Sequence, residues 1–202
     1  MLPAHYETSD VRIDKYVVGP FENNVIVIRD KGSGEGLLID AANEHELLLQ
    51  VCRATGVRRV LTTHGHWDHI QAVTAVRDAG IEVGIAEADA AMLPSYDFTI
   101  PDDDVVNVGT LRLRAIHTPG HTPGSTCFEL EGHPIVFSGD TLFPGGAGNT
   151  MTEGASFDQI IESIDGRLFT LAPETLVLPG HGLDTTVGTE RPSLDAWIER
   201  GW

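Results

Sequence analysis

The chain has 202 residues, 41% of them hydrophobic and 21% charged, an ordinary globular composition long enough to bury a core in one domain over residues 1–202. Thirty Asp and Glu against thirteen Lys and Arg leave a net charge of −17 and a pI near 4.7, which argues against nucleic acid or an anionic membrane as a partner. Residues 1–15 mix charged side chains without a signal-like apolar core, and no later stretch suits a bilayer span, so a cytoplasmic location is expected.

In chain order, residues 11–18 and 24–28 read as strands, broken by Gly19-Pro20, and 37–39 as a third strand ending at Asp40. Asn43, with Glu46 three residues on, reads as the start of a helix whose apolar face carries Leu47, Leu48, Val51 and Cys52 and which Gly56 ends. A short buried strand at 59–62 leads into a helix marked by Ile70, Val73 and Val76, with Gly80 as its stop. Residues 81–85 alternate, and 86–93 form a short helix closed by Pro94. The second half repeats the scheme: strands at 111–115, 126–130 and 135–137, a helical stripe over 157–168 behind Ser156, a strand at 175–178 and a terminal helix at 193–200. Cys52 and Cys127 fall in apolar-periodic contexts and read as reduced packing residues. With no low-complexity linker between the halves, the order predicts one layered α/β domain.

The densest chemistry is Thr63-His64-Gly65-His66-Trp67-Asp68-His69, on the corner between the 59–62 strand and its helix. Two residues of extended chain advance roughly 6.6 Å and return to the same face, so His64 and His66 can converge on one cation. Asp68 and His69 open the helix and point elsewhere, which suggests a second cation close by. An aspartate alone there would read as a helix cap; three histidines and an aspartate within six residues read as a metal site. Three other strands end in small residues and a ligand-type side chain: His117-Thr118-Pro119-Gly120-His121, Ser138-Gly139-Asp140-Thr141 and Pro179-Gly180-His181-Gly182. Each alone is a weak signal. Functional residues of α/β folds gather beyond strand ends, so the four loops together predict one centre. His5, His45 and His133 lie in turn or helix-start contexts and are expected at the surface.

These motifs resemble the metallo-β-lactamase superfold, and within it the glyoxalase II-like (hydroxyacylglutathione hydrolase-like) branch, from about Asn24 to His181. The carriers are His64-Gly65-His66-Trp67-Asp68-His69, Gly120-His121-Thr122, Gly139-Asp140-Thr141-Leu142-Phe143 and Gly180-His181-Gly182. The resemblance implies a four-layer αββα sandwich with two metals at the edge of its sheets. One metal takes His64, His66 and His121, the other Asp68, His69 and His181, with Asp140 bridging both. It also implies that Asp40 supports the metal loop, and it puts the ligand at His121 rather than His117, which becomes a supporting or structural residue.

Five histidines and two carboxylates suit zinc, two ions per chain, with iron or manganese as alternatives. Glutamate stands at the position of His66 in flavodiiron-type members, which counts against that redox reading. The resemblance implies a hydrolase in which a metal-bridging hydroxide attacks a carbonyl, with Asp68 orienting the nucleophile and Asp140 holding both metals. The expected substrate is an acyl thioester of a small thiol. A thiolate, whose conjugate acid has a pKa of about 8.5, leaves without much proton donation, and Phe143 stands where lactonases of the superfamily commonly carry a tyrosine. A lactonase is therefore a lesser alternative. A mononuclear iron persulfide dioxygenase is the other; those enzymes usually carry an arginine-rich loop after the aspartate, and Phe143-Pro144-Gly145-Gly146 has none. Two departures leave the acyl group and carrier thiol open. Only 21 residues follow His181, so the helical domain of glyoxalase II proper is not expected, and Gly146-Ala147-Gly148-Asn149 stands in place of the family's Gly-Cys-Gly-Arg.

Overall fold

The computed structural model describes residues 4–201. β-branched and aliphatic runs build a first sheet of seven strands in sequence order: β1 (Tyr6–Glu7), β2 (Val11–Val18), β3 (Asn23–Asp30), β4 (Gly36–Ile39), β5 (Val57–Leu61), β6 (Glu82–Ile85) and β7 (Phe98–Thr99). β1 to β4 form an antiparallel meander, and β4 to β7 run parallel. The parallel steps are made possible by α1 (His45–Thr55), α2 (Trp67–Ile70), α3 (Val73–Asp78) and a 3-10 turn at Glu87–Met92, which carry the chain back along the sheet.

The second sheet contains β8 (Val105–Val108), β9 (Leu111–His117), β10 (Thr126–Leu130), β11 (Ile135–Gly139), β14 (Leu176–Pro179) and β15 (Thr185–Thr186), in the order β15-β14-β11-β10-β9-β8. A small hairpin, β12 (Leu142–Phe143) with β13 (Gly146–Ala147), follows β11. α4 (Phe157–Ser163), α5 (Val187–Glu190) and α6 (Leu194–Arg200) complete the chain.

Three cores define four layers. Ile13, Ile26, Ile28, Leu37 and Leu61 of the first sheet pack face to face with Leu113, Phe128, Ile135 and Phe137 of the second. The outer face of the first sheet buries Val25, Val27, Val60 and Val83 under Leu48, Val51 and Val73 of the helices. The outer face of the second buries Ile116, Val136 and Val177 under Ile160, Ile164 and Trp197. Each strand thus sends alternate side chains to an inner and an outer core. The αββα sandwich expected from the sequence is present. Cys52 and Cys127 are free and buried, and burial pushes both thiols up to about 11, in keeping with packing residues. Among the described residues no helix is long and apolar enough to cross a membrane.

Some local expectations are corrected. α1 is not capped by Asn43. Its N-terminal boundary is Glu44 in the left-handed region, and the Asn43 amide is committed to Gln71 Oε1 at 2.9 Å. The helix after the histidine motif is broken because the Gln71 and Ala72 N–H groups donate across to Ala42 O and Ala41 O, at 3.1 and 2.9 Å, instead of continuing the helical ladder. His133 is held against the Tyr6 ring and Asp10 rather than free at the surface. Ser156 does cap α4, accepting from Gln159 N.

Candidate metal centre

The strand ends converge as the loops predict, and the convergence begins with Asp40. This residue follows β4 with φ of 60° and is buried. Its Oδ1 accepts from Thr63 N at 2.7 Å, and its Oδ2 accepts from Thr63 Oγ1 and His69 Nδ1, each at 2.8 Å. Because the Thr63 hydroxyl gives its proton to Asp40, its oxygen can accept from His64 Nδ1 at 3.0 Å. One carboxylate thereby fixes the ring orientation of two histidines and leaves the Nε2 atom of each facing inward.

The other loops use backbone carbonyls for the same purpose. His121 Nδ1 donates to Asn149 O at 2.7 Å, and His181 Nδ1 donates to Phe21 O at 2.9 Å. Both therefore present Nε2. His66 differs, since it is Nδ1 that faces His121 Nε2 at 2.9 Å. Asp68 Oδ2 accepts from Asn23 Nδ2 at 3.0 Å. Asp140 follows β11 at the tight turn of Gly139, whose φ of 48° puts its Cα against Thr63 and leaves no room for a β-carbon.

All seven predicted side chains meet in one place. His64, His66 and His121 form one group, Asp68, His69 and His181 a second, and His64, His69 and Asp140 a third, each with donor atoms within 4.8 Å of one another. Asp140 touches both ends of the array: Oδ2 lies 3.7 Å from His121 Nε2 and 3.6 Å from His181 Nε2, while Oδ1 lies 3.5 Å from His69 Nε2. Ring nitrogens are pressed together across the two lobes; His69 Nε2 and His181 Nε2 are 3.1 Å apart. His64 Nε2 and Asp140 Oδ1 are buried without a hydrogen-bond partner. Orphaned acceptors of this kind are costly unless a cation completes them, and imidazole with carboxylate suits divalent first-row ions. The residues fit a metal centre.

The electrostatics point the same way. Burial, reinforced by the neighbouring His69, His121 and His66, pushes the His64 imidazolium well below its ordinary range, and burial with His121 lowers His66 against the opposing pull of Asp140 and Asp68. His69 goes the other way. Burial opposes its charge, but Asp140 and Asp40 outweigh burial and draw a proton onto it. Asp68 is held low, against its own burial, by His181, His69 and Asn23. An anionic lobe that attracts protons onto histidine is one that attracts cations.

His117 is not in the cluster. Its Nε2 meets Ile100 O at 3.0 Å and its backbone N–H donates to Asp102, so its role is structural. Three contributors carry no mark in the sequence motifs. Asn23 orients Asp68 and approaches His181 Nε2 at 3.3 Å. Asn24 ties the His181 loop by donating to Pro179 O and Gly182 O. Asp89, fully buried, accepts from Gly65 N at 2.9 Å, Thr122 Oγ1 at 2.7 Å and Gly124 N at 2.7 Å, clamping the loops of His64–His66 and His121 together. Two adjacent asparagines opening a strand are the one signal that could have found the first pair; Asp89 has none. A cavity lined by Asp140, Phe143, Gly146, Asn149 and Arg200 adjoins the centre, so a cation from α6 stands beside the loop that lacks the family's arginine.

Comparison with known proteins agrees with this geometry. The family model of the metallo-beta-lactamase superfamily matches residues 18–181. The probable metallo-hydrolase YqgX of Bacillus subtilis (strain 168) is 34% identical, over 86% of this chain and 92% of its own length. The hydroxyacylglutathione hydrolase GloC of Haemophilus influenzae is 29% identical, over 91% of this chain and 96% of its own. Among solved structures, ETHE1 from Myxococcus xanthus superposes with a TM-score of 0.78 at 29% identity, covering 89% of this chain and 81% of that one. TTHA1623 in a di-iron-bound form superposes with a TM-score of 0.77 at 30% identity, covering 88% and 96%. The chain belongs to the metallo-beta-lactamase superfamily.

Proposed function

We propose that the chain is a dinuclear metal hydrolase of acyl thioesters of a small thiol, built as a single domain over residues 1–202. The observation that carries the reading is the convergence of seven donor side chains in two lobes, with His64 Nε2 and Asp140 Oδ1 left as buried acceptors without a hydrogen. His64, His66 and His121 would hold one ion, Asp68, His69 and His181 the other, and Asp140, which reaches both lobes, would join them. Two divalent ions, zinc by preference for this donor set, supply a water made nucleophilic near neutral pH and an electrophilic edge for a carbonyl oxygen.

The chain's own groups do the rest. Asp68, anchored by Asn23 at 3.0 Å and held in its anionic form, is an acceptor for a proton of the attacking water and aims it at the carbonyl carbon. Asp40, Asn149 O and Phe21 O fix the rings of His69, His121 and His181 so that none of them turns during a cycle. Phe143, half-buried on β12, offers no hydroxyl beside Asp140. A leaving group that needs no proton, a thiolate, suits that apolar position better than the alkoxide of a lactone. The hydroxyacylglutathione hydrolase GloC, similar over nine-tenths of this chain, supports the thioester class. Two buried, unpaired thiols favour a reducing compartment, the cytoplasm.

A mononuclear iron oxygenase is the second reading, favoured by the likeness to ETHE1. It uses one lobe and leaves the Asp68–His69–His181 group without a purpose. The two separate on one experiment: count metals in the purified chain and assay it with a panel of acyl thioesters and with a persulfide. Two ions with thioester turnover are expected. Two ions without turnover would remove the thioester assignment, and one iron with persulfide-dependent oxygen uptake would put the second reading first.

A further inference from the structure

α4, extended by a π turn at Ile164–Leu168, carries two apolar rows where packing on a sheet needs one. Ile160, Ile164 and Leu168 are fully buried in the outer core of the second sheet. Phe157 and Ile161, four apart, lie beside that row and are only partly buried. α6 repeats the arrangement: Trp197 is buried, while Leu194 is partly buried and Ile198, four residues on, is 50% exposed. The second rows of the two helices meet in one groove, lined by Phe157, Ile161, Leu194 and Ile198 together with the exposed carboxylates of Asp158, Glu162 and Asp165. Isolated surface hydrophobics are ordinary, but apolar side chains that line one depression between polar edges mark a contact site.

The charge on this groove has one sign. No lysine or arginine lines it, and none of its three carboxylates has a cation partner among the described residues. On other faces Asp97 pairs with Arg77, Glu131 with Arg112 and Asp102 with Arg167. The acidic row is also unfavourable to the helix that bears it. Residues 158, 162 and 165 are four and three apart, where like charges repel, and Asp165 stands near the C-terminal end, where the helix dipole disfavours an anion. No side chain among the described residues offsets that repulsion.

We infer that the α4–α6 groove docks a basic amphipathic helix of another protein. Its aliphatic side chains would seat on Phe157, Ile161, Leu194 and Ile198, and its lysines or arginines would stand over Asp158, Glu162 and Asp165. A helix laid in a groove presents anchors at i, i+3, i+4 and i+7, a spacing suited to two parallel rows of residues four apart. A second copy of the chain is a poor occupant, because it brings the same acids and a net charge of −17. Anionic lipid and nucleic acid are repelled for the same reason. The inference does not depend on the metal centre or on what it cleaves.

The probe is a synthetic helix of about fourteen residues, an ordinary helix length, with leucine at i, i+3, i+4 and i+7 and lysine elsewhere. Its binding to the full chain is read by fluorescence anisotropy at physiological salt. It should bind about tenfold more tightly than a scrambled peptide of the same composition, the factor that ~1.4 kcal/mol of oriented contact supplies. Ile198→Ser should remove most of that difference. Glu162→Lys should weaken binding, while Glu46→Lys, the same charge change on α1, should not. Glu162→Lys should also raise the urea midpoint of the free chain, because repulsion along α4 turns to attraction. Equal affinity for ordered and scrambled peptides, or an affinity unchanged in Ile198→Ser, would overturn the inference. A Glu162→Lys chain that loses stability along with affinity would do the same, since the acidic row would then serve the fold. So would a dimer in sedimentation equilibrium that Ile198→Ser dissociates, which would give the groove to a second copy.

Discussion

Asp89 offers the sharpest test of how the centre is held, because it bonds none of the candidate ligand side chains yet joins two of their loops. It is a buried carboxylate with no cation beside it, satisfied by Gly65 N, Gly124 N and Thr122 Oγ1 at 2.7–2.9 Å. Gly124 packs so closely that a β-carbon there would lie 2.6 Å from Asp89 Cγ. Asp89→Ala strands two buried backbone N–H groups at about 1–3 kcal/mol each, while Thr122 keeps Ser125 Oγ as an alternative partner at 2.8 Å. The sum is a loss of about 2–6 kcal/mol, large for one substitution. Asp89→Asn keeps the shape and one acceptor but turns an NH₂ toward a donor, and should cost about half as much. Urea unfolding of the metal-loaded chain measures both. Metal retention should fall first in the group of His64, His66 and His121, whose loops Asp89 ties, and cobalt substitution followed by its absorption spectrum would show that loss. An Asp89→Ala chain within ~0.5 kcal/mol of the parent, with full metal content, would refute the clamp.

Gly180→Ala should spare the fold and damage the centre, because a β-carbon there would lie 2.3 Å from Asp140 Oδ1 and 2.7 Å from His69 Cε1; unchanged circular dichroism with a reduced metal count is the expected pair of results, and a full count would contradict it. Asp30, which accepts from Thr110 N and Oγ1 and from Gly32 N, has its carboxyl held down at about 2, chiefly by the Thr110 N–H. A depressed value means that its contribution is fully present above the ordinary carboxylate range and is lost as pH falls from about 4 towards 2. Asp30→Asn should therefore be less stable than the parent at pH 6, and the gap should narrow over that acid window in urea titrations; a gap independent of pH would be against it.

Strand 111–115 was legible because its alternation reflects one face in water and one in the inner core, whereas 126–130 matched β10 as a short run buried on both faces. The metal-ligand candidates were legible because each of their four loops pairs an apolar strand with small residues and a donor side chain, a local signature. What escaped was bonding at a distance. Asp89 meets Gly65 and Gly124 across 24 and 35 residues, and nothing around it in the chain says so. Asn43 looked like a cap because Glu46 follows at the right spacing, but tertiary contact with Gln71 claimed its amide. The split between α2 and α3 has the same origin, in N–H groups diverted to Ala41 and Ala42. Arg200 reaches the cavity beside Asp140 from the far end of the chain, where a reading of the loop alone could not place it.

Two lobes of donors, joined by Asp140, are proposed to hold two ions. Native mass spectrometry of the metal-replete chain, with elemental analysis to identify the ion, tests it directly. Two divalent ions per chain are expected, and no more than one after His69→Ala. A parent chain that saturates at one ion, with His69→Ala binding that ion as well as the parent does, would contradict it.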